Sequence, residues 1–282
     1  MPSRAIKIVV LTGAELRHDY FFRYLSDCPE VELVGVWREG LEKSLGVQFV
    51  AAENEMEARA SHVAKREEDE RRFFEGPLSQ FKRVVPIYDI PKGTINRDEN
   101  VDTIELLRPD LLIAFGCSLV RSRLLEGYLG RFINLHLGLS PWYRGSGTNY
   151  WAMVNGELEG VGATVMHINS GIDSGEIIHQ IRARVEPGDT PHSIGHRLIM
   201  DATHVCGDLI RKFDHLDRMN SIEEHSIAGK IYRLSDFSEE SVRVLYEQFD
   251  GGLIEAYLKD QKSRDARYPL IEQPGIIRGG RK

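Results

Sequence analysis

The stretch LLIAFGCSLVRSRLLEGYLGRFINLH, residues 111–136, holds the reading on which the fold turns. Leu111 to Phe115 is a short, wholly apolar run ended by Gly116, the pattern of a strand buried on both faces. Arg121 to Tyr128 fits a short helix, and Phe132 to His136 is a second strand. Strand, helix and strand in this order predict a parallel pair joined by a right-handed crossover. Open sheets of that kind bind ligands beyond the carboxyl ends of their strands. Asn134 and His136 stand at such an end.

The same alternation runs outward in both directions. Ile6 to Thr12 (IKIVVLT) is another buried strand, and Glu15 to Leu25 carries Leu16, Tyr20 and Tyr24 at helical spacing. Val31 to Val36 predicts a strand, as does Val84 to Tyr88, followed by the turn Pro91-Lys92-Gly93. Asp98 reads as the cap of a helix through Leu107, stopped before Pro109. Glu53 to Arg72, with KREEDERR inside it and neither Pro nor Gly, predicts a solvated helix; an acidic interaction arm is the functional alternative.

Downstream, a helix is expected at Thr148 to Val154, strands at Ala163 to Ile168 and Glu176 to Val185, and a long helix at Thr190 to Leu216. From Ser221 the pattern changes to a short strand (Gly229 to Leu234), a helix (Ser238 to Asp250) and a tail rich in Arg, Pro and Gly. The expected architecture is α/β: a Rossmann-like, doubly wound, mostly parallel sheet with a small C-terminal α+β subdomain. The boundaries fall at 1–220 for the catalytic domain and 221–282 for the subdomain.

Composition agrees with that class. At roughly 150 residues per domain, the 282 residues suggest about two domains. Hydrophobic residues make up 41% and charged residues 28%, ordinary for a chain that folds around a large core. A net charge of −7 argues against a general nucleic-acid binder, though not against one local basic patch. Cys28, Cys117 and Cys206 lie far apart with no CxxC, which reads as reduced thiols rather than a disulfide frame or zinc site. The apolar run Ile8 to Leu11 is too short for a signal sequence or a membrane span, so a soluble cytoplasmic protein is expected.

The chemistry concentrates in residues 133–178, INLHLGLSPWYRGSGTNYWAMVNGELEGVGATVMHINSGIDSGEII. Asn134 and His136, two apart in a strand, share one face. A turn-rich loop carrying Arg144 follows, and Gly171-Ile172-Asp173-Ser174-Gly175 presents a carboxylate on a tight turn. An Asn, a His and an Asp at one crevice form a general acid/base set: an amide donor for an oxyanion, an imidazole to move a proton, and a carboxylate to orient it. Ser140 and Cys117 lack an activating motif such as GxSxG, which favours direct attack by a substrate's own nucleophile. On spacing alone, a buried strand-end His held by a backbone partner is the alternative.

This segment resembles the catalytic core of the 10-formyltetrahydrofolate-dependent formyltransferases, which include glycinamide ribonucleotide transformylase, methionyl-tRNA formyltransferase and the nucleotide-sugar N-formyltransferases. The matching positions are Asn134-x-His136, Leu139-Ser140-Pro141, Arg144-Gly145 and the Gly171 to Gly175 loop, with Ala114 to Val120 similar to the folate-side segment. The resemblance covers roughly residues 80 to 190 well and the first strand weakly. It implies Asn134, His136 and Asp173 as catalytic residues and 10-formyltetrahydrofolate as co-substrate, with no metal. It implies a folate cleft along Ser118, Leu119, Val120, Ile168, Asn169, Ser170, Gly171 and Ile172. Protonated His136 and Asn134 would stabilise the oxyanion, and Asp173 would support His136.

Departures from the family pattern narrow the acceptor. Gly138 stands where the family usually has Ser, and Gly13-Ala14-Glu15-Leu16-Arg17-His18 replaces the transformylase's phosphate-cradling Gly-Ser-Asn turn. The tail after Asn220 is shorter than the family's tRNA-binding barrel. The expected reaction is N-formylation of a primary amine on a small molecule, an amino sugar attached to a nucleotide. The alternatives are methionyl-tRNA formylation and a non-catalytic folate- or nucleotide-binding module. No membrane or nucleic-acid partner is expected, and a homodimer stays open. Glu15, Arg17 and His18 at the mouth of the first strand, together with Arg144, are the expected acceptor contacts; for the first three the alternative is a solvated helical turn. Trp142, Tyr143, Tyr150 and Trp151 read as packing, with stacking on a sugar or base as the alternative. His167 and His179 read as structural. His192 and His196, at i and i+4, could face one metal but lack an HExxH arrangement.

Overall fold

The computed structural model describes residues 4–40, 57–216 and 229–276. Its centre is a seven-stranded sheet in the order β3-β2-β1-β4-β5-β7-β8. The strands are β1 (Ile6–Thr12), β2 (Val31–Glu39), β3 (Ile87–Ile90), β4 (Leu111–Phe115), β5 (Phe132–His136), β7 (Gly162–His167) and β8 (Ile177–Arg182). β3 through β5 in that order are parallel, while β7 runs antiparallel to both β5 and β8. The chain winds outward from β1 to β3 and then resumes on the other side with β4. The fold is therefore the doubly wound, mostly parallel α/β class, and its switch point lies between β1 and β4, where such folds open a ligand crevice.

The apolar run in β1 has two destinations. Ile8 and Val10 enter one core with Phe21, Leu111 and Ile113, while Val9 and Leu11 enter a second with Trp37, Leu112 and Ala114. This is the period-2 alternation of a strand covered on both faces. The first core is roofed by α1 (Leu16–Asp27), α2 (Glu57–Leu78) and α6 (Pro191–Arg211); the second by α3 (Asp98–Leu107) and α4 (Ser122–Gly127). Phe115, fully inside, meets His18 edge-on at 4.9 Å and Phe21 at 5.0 Å, so the sheet's apolar packing also fixes a polar side chain at the crevice. Replacing such a phenylalanine by alanine typically costs about 3–5 kcal/mol.

Two expectations are corrected, and one strand is added. The strand after the charged helix begins at Ile87, not Val84: Val84 is 97% exposed, and the pairing with β2 starts at Ile87. The charged helix is not solvated all round: His62, Val63, Glu70 and Phe74 are buried where α2 packs on α1, α6 and α7 (Glu239–Asp250). The short strand β6 (Tyr143–Gly145) was not apparent in the sequence; it pairs in parallel with β9 (Lys230–Tyr232) in a separate two-stranded sheet. Gly145 is required there, since its φ is +93° and a Cβ would collide with the carbonyl oxygen of Tyr232.

The described residues after 228 lean on the larger body. Tyr232, Leu245, Leu253, Ile254 and Tyr257 share the first core with the sheet. Further on, Gln180 and Ile271 exchange backbone and side-chain hydrogen bonds, and Gln273 N–H donates to His179 Nδ1 at 2.9 Å. Two helices complete this region, α8 (Leu253–Lys259) and α9 (Gln261–Asp265), and α5 (Thr148–Val154) lies beneath α7. No helix among the described residues is long and apolar enough to cross a membrane.

Candidate active site

Asn134, His136 and Asp173 converge at the carboxyl end of β5, on the wall of a cleft of about 890 Å³. The Asp173 Oδ2 accepts the Gly145 N–H at 2.9 Å, and Oδ1 lies 3.4 Å from both Asn134 Nδ2 and His136 Nδ1. Asp173 adopts φ +46°, a left-handed conformation that Asp tolerates and that turns its carboxylate inward. Ser140 braces the turn by donating its hydroxyl to the Asp173 carbonyl at 3.3 Å.

The second ring nitrogen of His136 fixes its tautomer. Nε2 lies 3.1 Å from the carbonyl oxygen of Tyr143. A carbonyl only accepts, so Nε2 carries a hydrogen and Nδ1 is the atom at which a proton enters or leaves the ring. Asp173 Oδ1 faces that atom. Asn134 has two N–H donors, one directed to Asp173; the other is left for a ligand in the cleft that Asn134 lines.

One stretch of the cleft wall is formed by residues 116–120, 168–169 and 171–175. The buried carboxylate of Glu39, at the end of β2, ties this stretch down: Oε1 accepts Gly93 N–H at 2.9 Å, Oε2 accepts Ser118 N–H at 2.7 Å, and Lys92 Nζ pairs at 3.2 Å. Arg17, His18, His62, Arg66, His192 and His196 also line the cleft. Arg17 is held between Glu70 (2.8 Å) and Glu15 (3.2 Å), and its backbone N–H also donates to Glu70. These two carboxylates hold the Arg17 guanidinium charged despite its burial. Glu15 is drawn well below the usual carboxylate range: burial opposes this, but the hydrogen bond from His18 and the charge of Arg17 prevail. Burial lowers His18, against Glu15.

The sequence-predicted residues divide accordingly. Asn134, His136 and Asp173 come together, and Ser118, Leu119, Val120, Ile168, Asn169, Gly171 and Ile172 line the cleft, as do Arg17 and His18. Ser170, Glu15 and Arg144 are not part of the wall. Glu15 acts from behind through Arg17 and His18. Arg144 lies in β6 beside the wall residue Gly145, with its Nε buried and unpartnered among the described residues. Tyr150 and Trp151 line the cleft, Trp151 stacks on Tyr232 at 5.0 Å, and Tyr143 stacks on the same ring at 5.8 Å.

Sequence reading missed His62 and Arg66 and undervalued His192 and His196. The available signal was the four-residue spacing of His62, Arg66, Glu70 and Phe74, which places them on one face of α2. No group of three or more metal-ligating side chains among the described residues is arranged to hold a metal ion.

Comparison with known proteins bears on this arrangement. Residues 51–206 match the family model described as Formyl transferase. The methionyl-tRNA formyltransferase of Finegoldia magna is 29% identical over 170 residues, covering 57% of this chain and 53% of the relative. The chain thus spans about half the length of the curated relatives it matches. A sugar N-formyltransferase from a Shewanella species superposes with a TM-score of 0.55 at 16% identity, over 86% of this chain and 87% of that one. The phosphoribosylglycinamide formyltransferase of Anaplasma phagocytophilum gives a TM-score of 0.52 at 16% identity, over 74% and 87%. These two likenesses concern the fold.

Proposed function

Because the chain belongs to the formyl transferase family, we propose that it moves a formyl group from 10-formyltetrahydrofolate to the primary amine of a small acceptor, an amino sugar attached to a nucleotide. The observation that carries this reading is the single carboxylate, Asp173, set 3.4 Å from both Asn134 Nδ2 and His136 Nδ1. Residues 118–120 and 168–172 suit the folate. Leu119 and Ile172 stay 57% and 43% exposed beside the cleft, apolar surface of the kind a flat aromatic ring covers. Bound there, 10-formyltetrahydrofolate would supply the electrophilic formyl carbon.

This chain's own groups do the rest. Asn134 donates to the formyl oxygen as the acceptor nitrogen forms its bond to carbon, and His136 stabilises the same developing charge. Asp173 keeps His136 oriented by facing its Nδ1. The proton lost by the amine passes through this pair to the departing folate nitrogen, and the carbon–nitrogen bond to the folate breaks. Products are a formamide and tetrahydrofolate, with no covalent enzyme intermediate.

The test is a screen of nucleotide-linked amino sugars with 10-formyltetrahydrofolate, read by the mass gain of one formyl group. Formylation of at least one is expected. Folate binding without transfer to any amine would sink the catalytic reading. The sequence relatives support one rival, formylation of methionyl-tRNA. That reading requires tight, strongly salt-dependent tRNA binding, which the net charge of −7 disfavours.

A further inference from the structure

The cleft has a second chemical feature that formyl transfer itself does not demand. Three guanidinium groups, Arg17, Arg66 and the exposed Arg233, line the cleft. They are not equivalent. Arg17 is saturated by Glu70 and Glu15. Arg66, one turn along α2 from Glu70, forms no ion pair among the described residues, and its Nε is buried with no hydrogen-bond partner there. Burial and the charge of Arg17 both weigh against its cation, opposed by the more distant fields of Glu70, Glu15 and Glu67. Holding an unanswered guanidinium in such a place costs free energy unless an anion meets it.

The surroundings point the same way. Glu15 and Glu70 stand behind Arg17 and are absent from the wall, so the face turned to the cleft is the positive one. Burial holds His62 down to about 4, His192 to about 3 and His196 to about 4, so near neutral pH these imidazoles add no charge of their own. They are tied into the scaffold: Tyr246 Oη lies 3.3 Å from His62 Nδ1 and 3.5 Å from His192 Nε2, and His196 Nε2 donates to the Arg66 carbonyl at 3.3 Å. Among the described residues that line the cleft, Arg66 is therefore the guanidinium with a buried, unanswered N–H, while Arg233 is exposed. Its planar fork matches a phosphate or a carboxylate through paired N–H donors.

We propose that this end of the cleft is an oxyanion subsite in which Arg66 grips a phosphate or carboxylate group of the acceptor. Neutral amines would then be poor acceptors. The inference deepens the formyl-transfer reading and rests on it only for the statement that the anion belongs to the acceptor.

Binding is measured first without turnover, by calorimetry with inorganic pyrophosphate and, separately, succinate, on the wild-type chain, Arg66→Gln and Arg66→Lys. At least one anion should bind the wild type. Arg66→Gln should weaken that anion by about tenfold or more, the loss expected for a hydrogen-bonded charge. Arg66→Lys should fall between them. A folate titration on each sample reports intact fold and should not move. Preference for pyrophosphate assigns a phosphate group, and preference for succinate a carboxylate. Equal binding by wild type and Arg66→Gln, or no binding of either anion, overturns the subsite. Formyl transfer to neutral amines without anion binding would overturn it while leaving formyl transfer standing. Arg66-dependent anion binding with no formyl transfer to any amine would overturn the proposed reaction and leave the subsite.

Discussion

His136 Nδ1 and Asp173 Oδ1 lie 3.4 Å apart, joined across the crevice from the end of β5 to a loop whose turn depends on Asp173 at φ +46°. The same carboxylate is anchored by the Gly145 N–H at 2.9 Å, so its position is set by the backbone and not by the histidine. His136→Ala and Asp173→Asn should therefore leave the far-ultraviolet circular dichroism spectrum unchanged and cut kcat for formyl transfer by about a hundredfold or more. Turnover near that of the wild type in either variant would remove the pair from the mechanism.

Arg17 also carries a structural load. The Glu70 side chain is only 5% exposed and is paired to the Arg17 guanidinium and backbone. Arg17→Ala removes the charge that answers that carboxylate and leaves it the backbone N–H, and losing one partner of a buried pair typically costs about 3–5 kcal/mol. Urea denaturation should show a loss of that order, and the double variant Arg17→Ala/Glu70→Gln should recover much of it. A negligible loss in the single variant would mean the pair is solvated in solution.

The neutral histidine cluster sets an acid limit on stability. His62, His192 and His196 have folded-state values of about 4, 3 and 4, against an unfolded value near 6.5, with burial the main cause. Between those values the unfolded chain binds protons that the folded chain refuses, so stability falls as the pH is lowered from about 6.5 toward 4. Each histidine contributes up to about 1.4 kcal/mol per pH unit in that window. Chemical denaturation at a series of pH values should give this slope, and His192→Phe should flatten it. A pH-independent stability between 6.5 and 4 would refute the assignment.

Glu39 has no exposed surface and links Gly93 to Ser118. Glu39→Gln keeps one acceptor oxygen but loses the charge facing Lys92. Folate affinity should weaken by about tenfold, the scale of one charged hydrogen bond, with a smaller change in kcat. Fluorescence titration with tetrahydrofolate decides it; unchanged affinity would show that the 116–118 loop holds without Glu39.

Gly138 touches the site by what it lacks. A Cβ there would lie 2.6 Å from both His136 Nε2 and Thr148 Oγ1. Gly138→Ser should displace the imidazole and lower kcat more than it raises KM for folate. Wild-type kcat in this variant would show that His136 can shift without loss.

The sequence alone was enough for the parallel strands, because alternation is a local signal, and it set Asn134 and His136 on one face; Asp173, 37 residues beyond His136, was joined to them through the family resemblance. The IVVL run of β1 shows two buried faces, and a spacing of two in a strand places Asn134 and His136 on one side. The inner face of α2 could not be read in the same way. Arg66 and Glu70 look like solvated charges until α1 supplies Arg17 to one and leaves the other facing a cleft. Glu39 is likewise one acid in a charged segment until Gly93 and Ser118 close over it. The three-residue β6 has no pattern of its own and exists through its pairing with β9, far along the chain. Local periodicity encodes which side of an element is apolar. A buried charge or a short strand takes its partner from a distant element, so only the tertiary structure decided where those groups went.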